Sequence, residues 1–172
     1  AGCNFPSKAQ MRLVLDENFD TGGIDTNSTW TFITGKCDEP TFIIIGDDTI
    51  PQCFWDDQEQ QFFTNRTENA RVDTGFLILT GVYENPLFDG ERYTSARLST
   101  QNNISLNSGL IEIRAKVPAG QGFWPSVFLE PANKASTDIF GSAELGLMKS
   151  NGNNTTEILS YISYVDSLDN ET

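Results

Sequence analysis

Histidine is absent from this chain of 172 residues. That absence removes Ser-His-Asp and Cys-His nucleophile systems and every His-based zinc site. Cysteine is scarce: three residues, Cys3, Cys37 and Cys53, too scattered to make a metal site. Basic residues are few, 11 against 24 acidic, for a net charge of −13. Phosphate binding needs clustered Lys and Arg, so nucleic acid and anionic membrane surfaces are excluded as partners. No apolar run is long enough to cross a bilayer. The sequence contains no basic, apolar leader with a cleavage site, and Ala1-Gly2-Cys3-Asn4 reads as a mature N-terminus after a leader was removed. Segments of helical period are few.

What is present is aromatic and strand-like. Twelve Phe, four Tyr and three Trp supply large buried area. Short alternating runs broken by Gly, Asn, Asp and Pro predict an all-β antiparallel sandwich, in one domain over residues 1–172. Strands are expected from Met11, over Gly75–Thr80, Gly109–Pro118, Trp124–Leu129, Glu144–Lys149 and Ile158–Val165. A polar turn is expected over Ser150–Thr156. Six N-x-Ser/Thr sequons, at Asn27, Asn65, Asn103, Asn153, Asn154 and Asn170, point to a secreted glycoprotein with these asparagines on surface loops. Cys37 and Cys53 bracket a proline-containing insert. A disulfide there closes a loop of about 15 residues and contributes roughly 3 kcal/mol. Cys3 is then either a free thiol or paired outside this sequence, in another subunit or a missing segment.

Several ordered stretches resemble glycoside hydrolase family 16, the laminarinase and β-1,3-glucanase group. Asp16-Glu17-Asn18-Phe19 followed by Trp30 is similar to the family's entry motif. Glu59, Gln61 and Phe63 follow its N-x-E-x-Q-x-Y pattern. Tyr93-Thr94-Ser95-Ala96-Arg97 resembles Y-T-S-G-R, and Gly109–Pro118 resembles G-R-x-E-x-R-A-K-x-P. Trp124-Pro125-Ser126-Val127-Phe128-Leu129 corresponds to W-P-A-F-W-L, with Phe128 at the second tryptophan. Gly141–Ser150 corresponds to the strand G-E-I-D-I-M-E. The resemblance covers roughly Leu13 to Gly152 and stops before the family's last strands. It implies a two-sheet, concanavalin A-like jelly roll with a concave face, here incomplete at its C-terminus.

The resemblance also implies roles. Glu144 stands at the nucleophile, Gly146 at the middle aspartate and Lys149 at the proton donor. The six-residue form E-x-D-x-x-E carries a bulge that returns its last residue to the cleft side, and the spacing from Glu144 to Lys149 fits it. Trp124, Arg97, Glu59, Gln61 and Glu144 are the expected carbohydrate-binding residues, with Arg97 beside Glu144. Trp124 is read either as a sugar platform or as a core tryptophan. Asp16, Glu17 and Asp20 are read as structural calcium ligands or as solvated loop acids. No other cofactor or metal is implied.

Lysine is a poor proton donor at position 149, because its reference pKa is about 10.4. Its charged ammonium also cannot serve as the base of the second step. Losing acid/base catalysis costs about 10²–10⁴-fold. The expectation is therefore an inactive, glucan-binding relative, with a Lys149–Glu144 ion pair plugging the cleft centre as the alternative to a sugar site there. The spacing of Glu130, Asp138 and Glu157 does not mark any of them as a replacement acid. The alternative reading is a structural component of an extracellular coat, matrix or filament, assembled with other subunits. Residual hydrolysis ranks third.

Overall fold

The computed structural model describes residues 11–20, 22–35, 41–45, 48–52, 59–132 and 143–164, with backbone alone at 41–45 and 48–52. Cys3, Cys37, Cys53, Asp138 and Asn170 lie outside the described residues. Among the described residues every regular element is a strand. The chain divides into two compact units, Ala1–Asn107 and Ser108–Thr172.

In the first unit β1 (Thr31–Ile33) pairs antiparallel with β9 (Arg97–Ser99). β2 (Thr41–Ile45) and β3 (Asp48–Gln52) form a hairpin, as do β5 (Ala70–Asp73) and β6 (Phe76–Leu79). β4 (Gln61–Phe63) runs parallel to β8 (Glu91–Ser95), which pairs antiparallel with β7 (Val82–Phe88). That one parallel pair departs from the expected all-antiparallel pairing. The β7–β8 turn is Asp89-Gly90, with φ of 47° and 82°. Two positive φ values in a row suit the right-handed twist of a hairpin, which is why Asp-Gly is favoured there. Phe63, Ala70 and Ala96 form the buried apolar core of this unit, packed around fully buried Asn69 and Thr94.

The polar core is closed on itself. Asn69 donates through Nδ2 to Thr80 O (3.1 Å) and Thr94 Oγ1 (3.0 Å), and its Oδ1 accepts from Thr64 Oγ1 and from Arg66 Nη2 (3.1 Å). Arg66 also pairs with Glu84, and Glu84 accepts from Thr94 Oγ1 at 2.6 Å. The guanidinium of Arg66 lies 4.2 Å from the centre of the Phe88 ring. Buried polar groups cost free energy unless bonded, and every one here has a partner.

The second unit is a three-stranded antiparallel sheet in the order β10 (Ser126–Leu129), β11 (Glu144–Asn151), β12 (Asn154–Ser163). Phe128 pairs with Gly146 while Val127 pairs with Met148, so β11 carries one extra residue at this point. Ahead of the bulge Glu144 and Gly146 share one face, by the period of two. The bulge then returns Lys149 to that same face, opposite Ser126 and Leu159. Leu147 and Met148 both fall on the other face, against Ile111, Ile113, Ala115, Val127 and Ile158. The bulge expected from the sequence is therefore present.

Three expectations need correction. The run from Met11 to Phe19 is not a strand. Its chain is turned locally instead, with Phe19 at φ 55° and its amide bonded to Glu17 Oε1 at 2.9 Å. Gly109–Pro118 is not a strand either. Ile111, Ile113 and Ala115 stay exposed and line a recess with Val127, Leu147, Met148 and Ile158, without a ladder among the described residues. The polar turn is shorter than Ser150–Thr156: Asn151 already pairs with Asn154, so only Gly152 and Asn153 make the turn.

Candidate functional site

The wet face of β11 reads Glu144, Gly146, Lys149, and each position is met by an aromatic group. Tyr161 on β12 is paired directly with Gly146. Its hydroxyl donates to Glu144 Oε1. Its ring centre lies 6.0 Å from Lys149 Nζ, and the Trp124 ring centre lies 5.8 Å from the same atom. The order along the face is carboxylate, phenol, ammonium, indole. Burial, then the hydrogen bond to Glu144 and the negative charge of Glu144, push the Tyr161 phenol from 10.0 up to about 12. The phenol therefore stays a donor across the physiological range.

Trp124 is held by backbone. Gly120 N donates to Gly152 O (2.9 Å), Gly152 N to Phe123 O (2.8 Å) and Ser150 N to Pro125 O (3.1 Å). These bonds dock the loop before β10 onto the β11–β12 turn. Only glycine permits the approach: a Cβ at position 152 would lie 2.1 Å from the Gly120 carbonyl oxygen. The indole itself is 58% exposed, so Trp124 is not a core tryptophan.

The other expected residues fall as follows. Glu59 and Gln61 are brought together, with Gln61 Nε2 donating to Glu59 Oε2 at 2.8 Å, and Arg97 sits in β9 opposite Ile33. All three belong to the first unit, and Trp124, Glu144 and Lys149 to the second. The Glu144–Lys149 ion pair does not form: no carboxylate among the described residues pairs with Lys149, and Glu144 is taken by Tyr161. The reason is distance along the strand. Their partners on β12, Ser163 and Leu159, are four residues apart, roughly 13 Å.

Glu17 accepts from the Phe19 amide (2.9 Å) and from Trp30 Nε1 (3.3 Å). Asp16 accepts from Asn18 Nδ2 at 3.2 Å. Among the described residues no three Asp, Glu, Cys or His side chains converge as a metal site. The sequon asparagines Asn27, Asn65, Asn103, Asn153 and Asn154 are all exposed.

Sequence reasoning missed two groups. Tyr161 was read only as part of a strand, because nothing local shows that it stands across from Gly146. Glu130 was passed over on spacing. Leu129 pairs with Leu145, and the same register carried one residue further sets Glu130 opposite Glu144. Cross-strand neighbours have Cβ atoms about 4.5–5.5 Å apart. Glu157 is exposed on β12.

The chain is similar to proteins that act on or bind β-glucans. It is 34% identical over 132 residues to a β-glucanase of Rhodothermus marinus, covering 76% of this chain and 38% of that protein. It is 28% identical over 153 residues to glucan endo-1,3-β-glucosidase A1 of Niallia circulans, covering 86% of this chain and 21% of that one. A β-1,3-glucan-binding protein of Penaeus monodon is 38% identical over 60 residues, 35% of this chain and 16% of its own length. Among solved structures, the laminarinase from Rhodothermus marinus superposes with a TM-score of 0.70 at 30% identity, over 87% of this chain and 54% of that one. The fold is thus the all-β jelly roll of the laminarinases. No family model matches the chain. The chain spans well under half the length of the two glucanase relatives it matches.

These likenesses correct the expectation that the chain is not an enzyme. Two relatives matched over 76% and 86% of it carry glucanase names. The expectation weighed the acids of one strand. It passed over Glu130 on spacing, whereas the Leu129–Leu145 register carried one residue further sets Glu130 level with Glu144.

Proposed function

Because the chain is a laminarinase-like member of glycoside hydrolase family 16 in sequence and fold, we propose that it binds and cleaves β-1,3-glucan on the wet face of β11. The observation that carries the reading is Glu144 held by the Tyr161 hydroxyl, on a face that continues through Lys149 to exposed Trp124. Aromatic faces pack against the C–H faces of glucose. An ammonium beside the platform donates to sugar hydroxyls. The names of the matched relatives support glucan as the ligand class.

Retaining glycosidases use two carboxyl groups about 5–5.5 Å apart. Glu144 is assigned as nucleophile. Glu130, its cross-strand neighbour, is assigned as the acid/base that Lys149 does not supply. Glu144 bonds to the anomeric carbon as the glycosidic C–O bond breaks, and Glu130 gives its proton to the leaving oxygen. Water then returns a proton to Glu130 and its oxygen to the anomeric carbon, and Glu144 departs as a carboxylate.

Calorimetric titration of the natural protein with laminari-oligosaccharides, followed by product analysis, tests this. Heat of binding and shorter sugars are expected. Heat without shorter sugars would remove the hydrolysis and leave the binding. No heat and no products would sink the reading for this glucan.

A further inference from the structure

The face that carries Glu144 has a gap at Gly146, and a residue from another strand fills it. A Cβ built on Gly146 would lie 2.2 Å from Tyr161 Cε1, 2.4 Å from Cδ1 and 2.6 Å from Cζ. Real Cβ atoms do not approach a ring so closely, so the Tyr161 ring occupies the space into which any side chain at 146 would project. The two residues are direct cross-strand partners. From that position the hydroxyl reaches one step along the face to Glu144 Oε1. Glycine at 146 and tyrosine at 161 thus act as a single device. Remove the gap and the ring must leave, and its hydroxyl with it.

We infer that Tyr161 is the positioning residue for Glu144: lying across Gly146, it holds the carboxylate by Oε1 and leaves Oε2 to meet the anomeric carbon. The inference rests on the reading of Glu144 as nucleophile and names what orients it. A carboxylate nucleophile with one oxygen fixed loses its side-chain rotation before substrate arrives, which is the entropic part of catalysis. The hydrogen bond also changes along the reaction. It weakens as Oε2 forms its bond to carbon and Oε1 loses charge, and it strengthens again as the carboxylate departs. The phenol keeps its proton throughout, consistent with its upward displacement to about 12. Lys149, 6.0 Å from the ring centre, is the other charged group on this face of β11.

The test uses the natural protein and the variants Tyr161→Phe, Gly146→Ala and Glu144→Gln. Tyr161→Phe keeps the ring over Gly146 and deletes only the hydroxyl. Hydrogen bonds to charged groups are the stronger ones, so kcat on a laminari-oligosaccharide is expected to fall ~10- to 100-fold, with KM within about twofold. Gly146→Ala is expected to lower kcat at least as much. The double variant should be no worse than the poorer single one, because both remove the same contact. Phenolate absorbance gives a readout independent of turnover. The highest-titrating phenol of the natural protein should be lost in Tyr161→Phe and should titrate at lower pH in Glu144→Gln.

Unchanged kcat in Tyr161→Phe, with cleavage still abolished in Glu144→Gln, would overturn the inference and leave the proposed function standing. A phenol titration indifferent to Glu144→Gln would overturn it as well. Absence of cleavage by the natural protein would overturn both.

Discussion

Two clusters in this molecule use the same ingredients to opposite ends. Each has a carboxylate, a cation, a hydroxyl and an aromatic ring. In the first unit Arg66 pairs with Glu84, Thr94 bonds Glu84, and the guanidinium rests on Phe88, all around fully buried Asn69. In the second unit Glu144 takes the Tyr161 hydroxyl, and Lys149 stands between two rings without a carboxylate partner among the described residues. In the first cluster the cation and the carboxylate are paired with each other beside a fully buried amide. The second leaves an ammonium, a carboxylate oxygen and an exposed indole. Polar residues gathered together do not make a site. The difference lies in whether cation and carboxylate are paired with each other.

The largest effect that would sharpen this contrast is expected from Glu130→Gln. Loss of the acid/base should lower kcat by about 10²–10⁴-fold, with laminari-oligosaccharide affinity and melting temperature unchanged. Equal turnover in the variant would remove Glu130 from the mechanism. Gly146→Ala comes next, because it strikes the open cluster through packing. Overpacking costs about 1–3 kcal/mol, which thermal or denaturant unfolding would register.

Asn69→Leu should cost a similar ~1–3 kcal/mol by removing one partner each from Thr64, Arg66 and Thr94, yet leave glucan affinity intact. Loss of glucan affinity in Asn69→Leu would break the division between the two clusters. Trp124→Ala should do the reverse. It should weaken glucan binding by about 5- to 10-fold without a change in melting temperature, since the indole is 58% exposed.

The smallest effect is in pH dependence, and the two clusters should fail at opposite ends of the scale. Bonds from Thr94 and then Arg66 hold the Glu84 carboxyl below its ordinary 4.5. A depressed folded-state pKa gives stability that is present above 4.5 and lost as pH falls below it. Tyr161 is displaced upward from 10.0 to about 12, so its contribution is present below 10.0 and lost as pH rises through about 12. Melting curves across pH should therefore show Glu84→Gln converging on the natural protein only at the acid end. Tyr161→Phe should converge only at the alkaline end.

The sequence disclosed the parts of this picture that are periodic along one strand. Alternation from Glu144 to Lys149 predicted the strand, and the resemblance to the six-residue form E-x-D-x-x-E implied its bulge. Gly109–Pro118 has a strand's alternation but makes no strand, and Ile111, Ile113 and Ala115 stay exposed at the rim of a recess in the second unit. What was not legible depends on register between strands. Tyr161 lies across from Gly146, and Glu130 falls level with Glu144, only because β10, β11 and β12 align as they do. The closed cluster was hidden for the same reason. Asn69 and Thr94 look like ordinary turn and strand residues until β7 and β8 bring Glu84 and Thr94 together.

The central claim is that Glu144 is the carboxylate that meets the sugar. A fluorinated laminari-oligosaccharyl fluoride slows release of the glycosyl-enzyme, so the bonded residue can be found by mass spectrometry of the digested protein. The account predicts one adduct, on the peptide containing Glu144, absent in Glu144→Gln and formed more slowly in Tyr161→Phe. An adduct on another residue, or none where the same reagent labels a laminarinase, would contradict it.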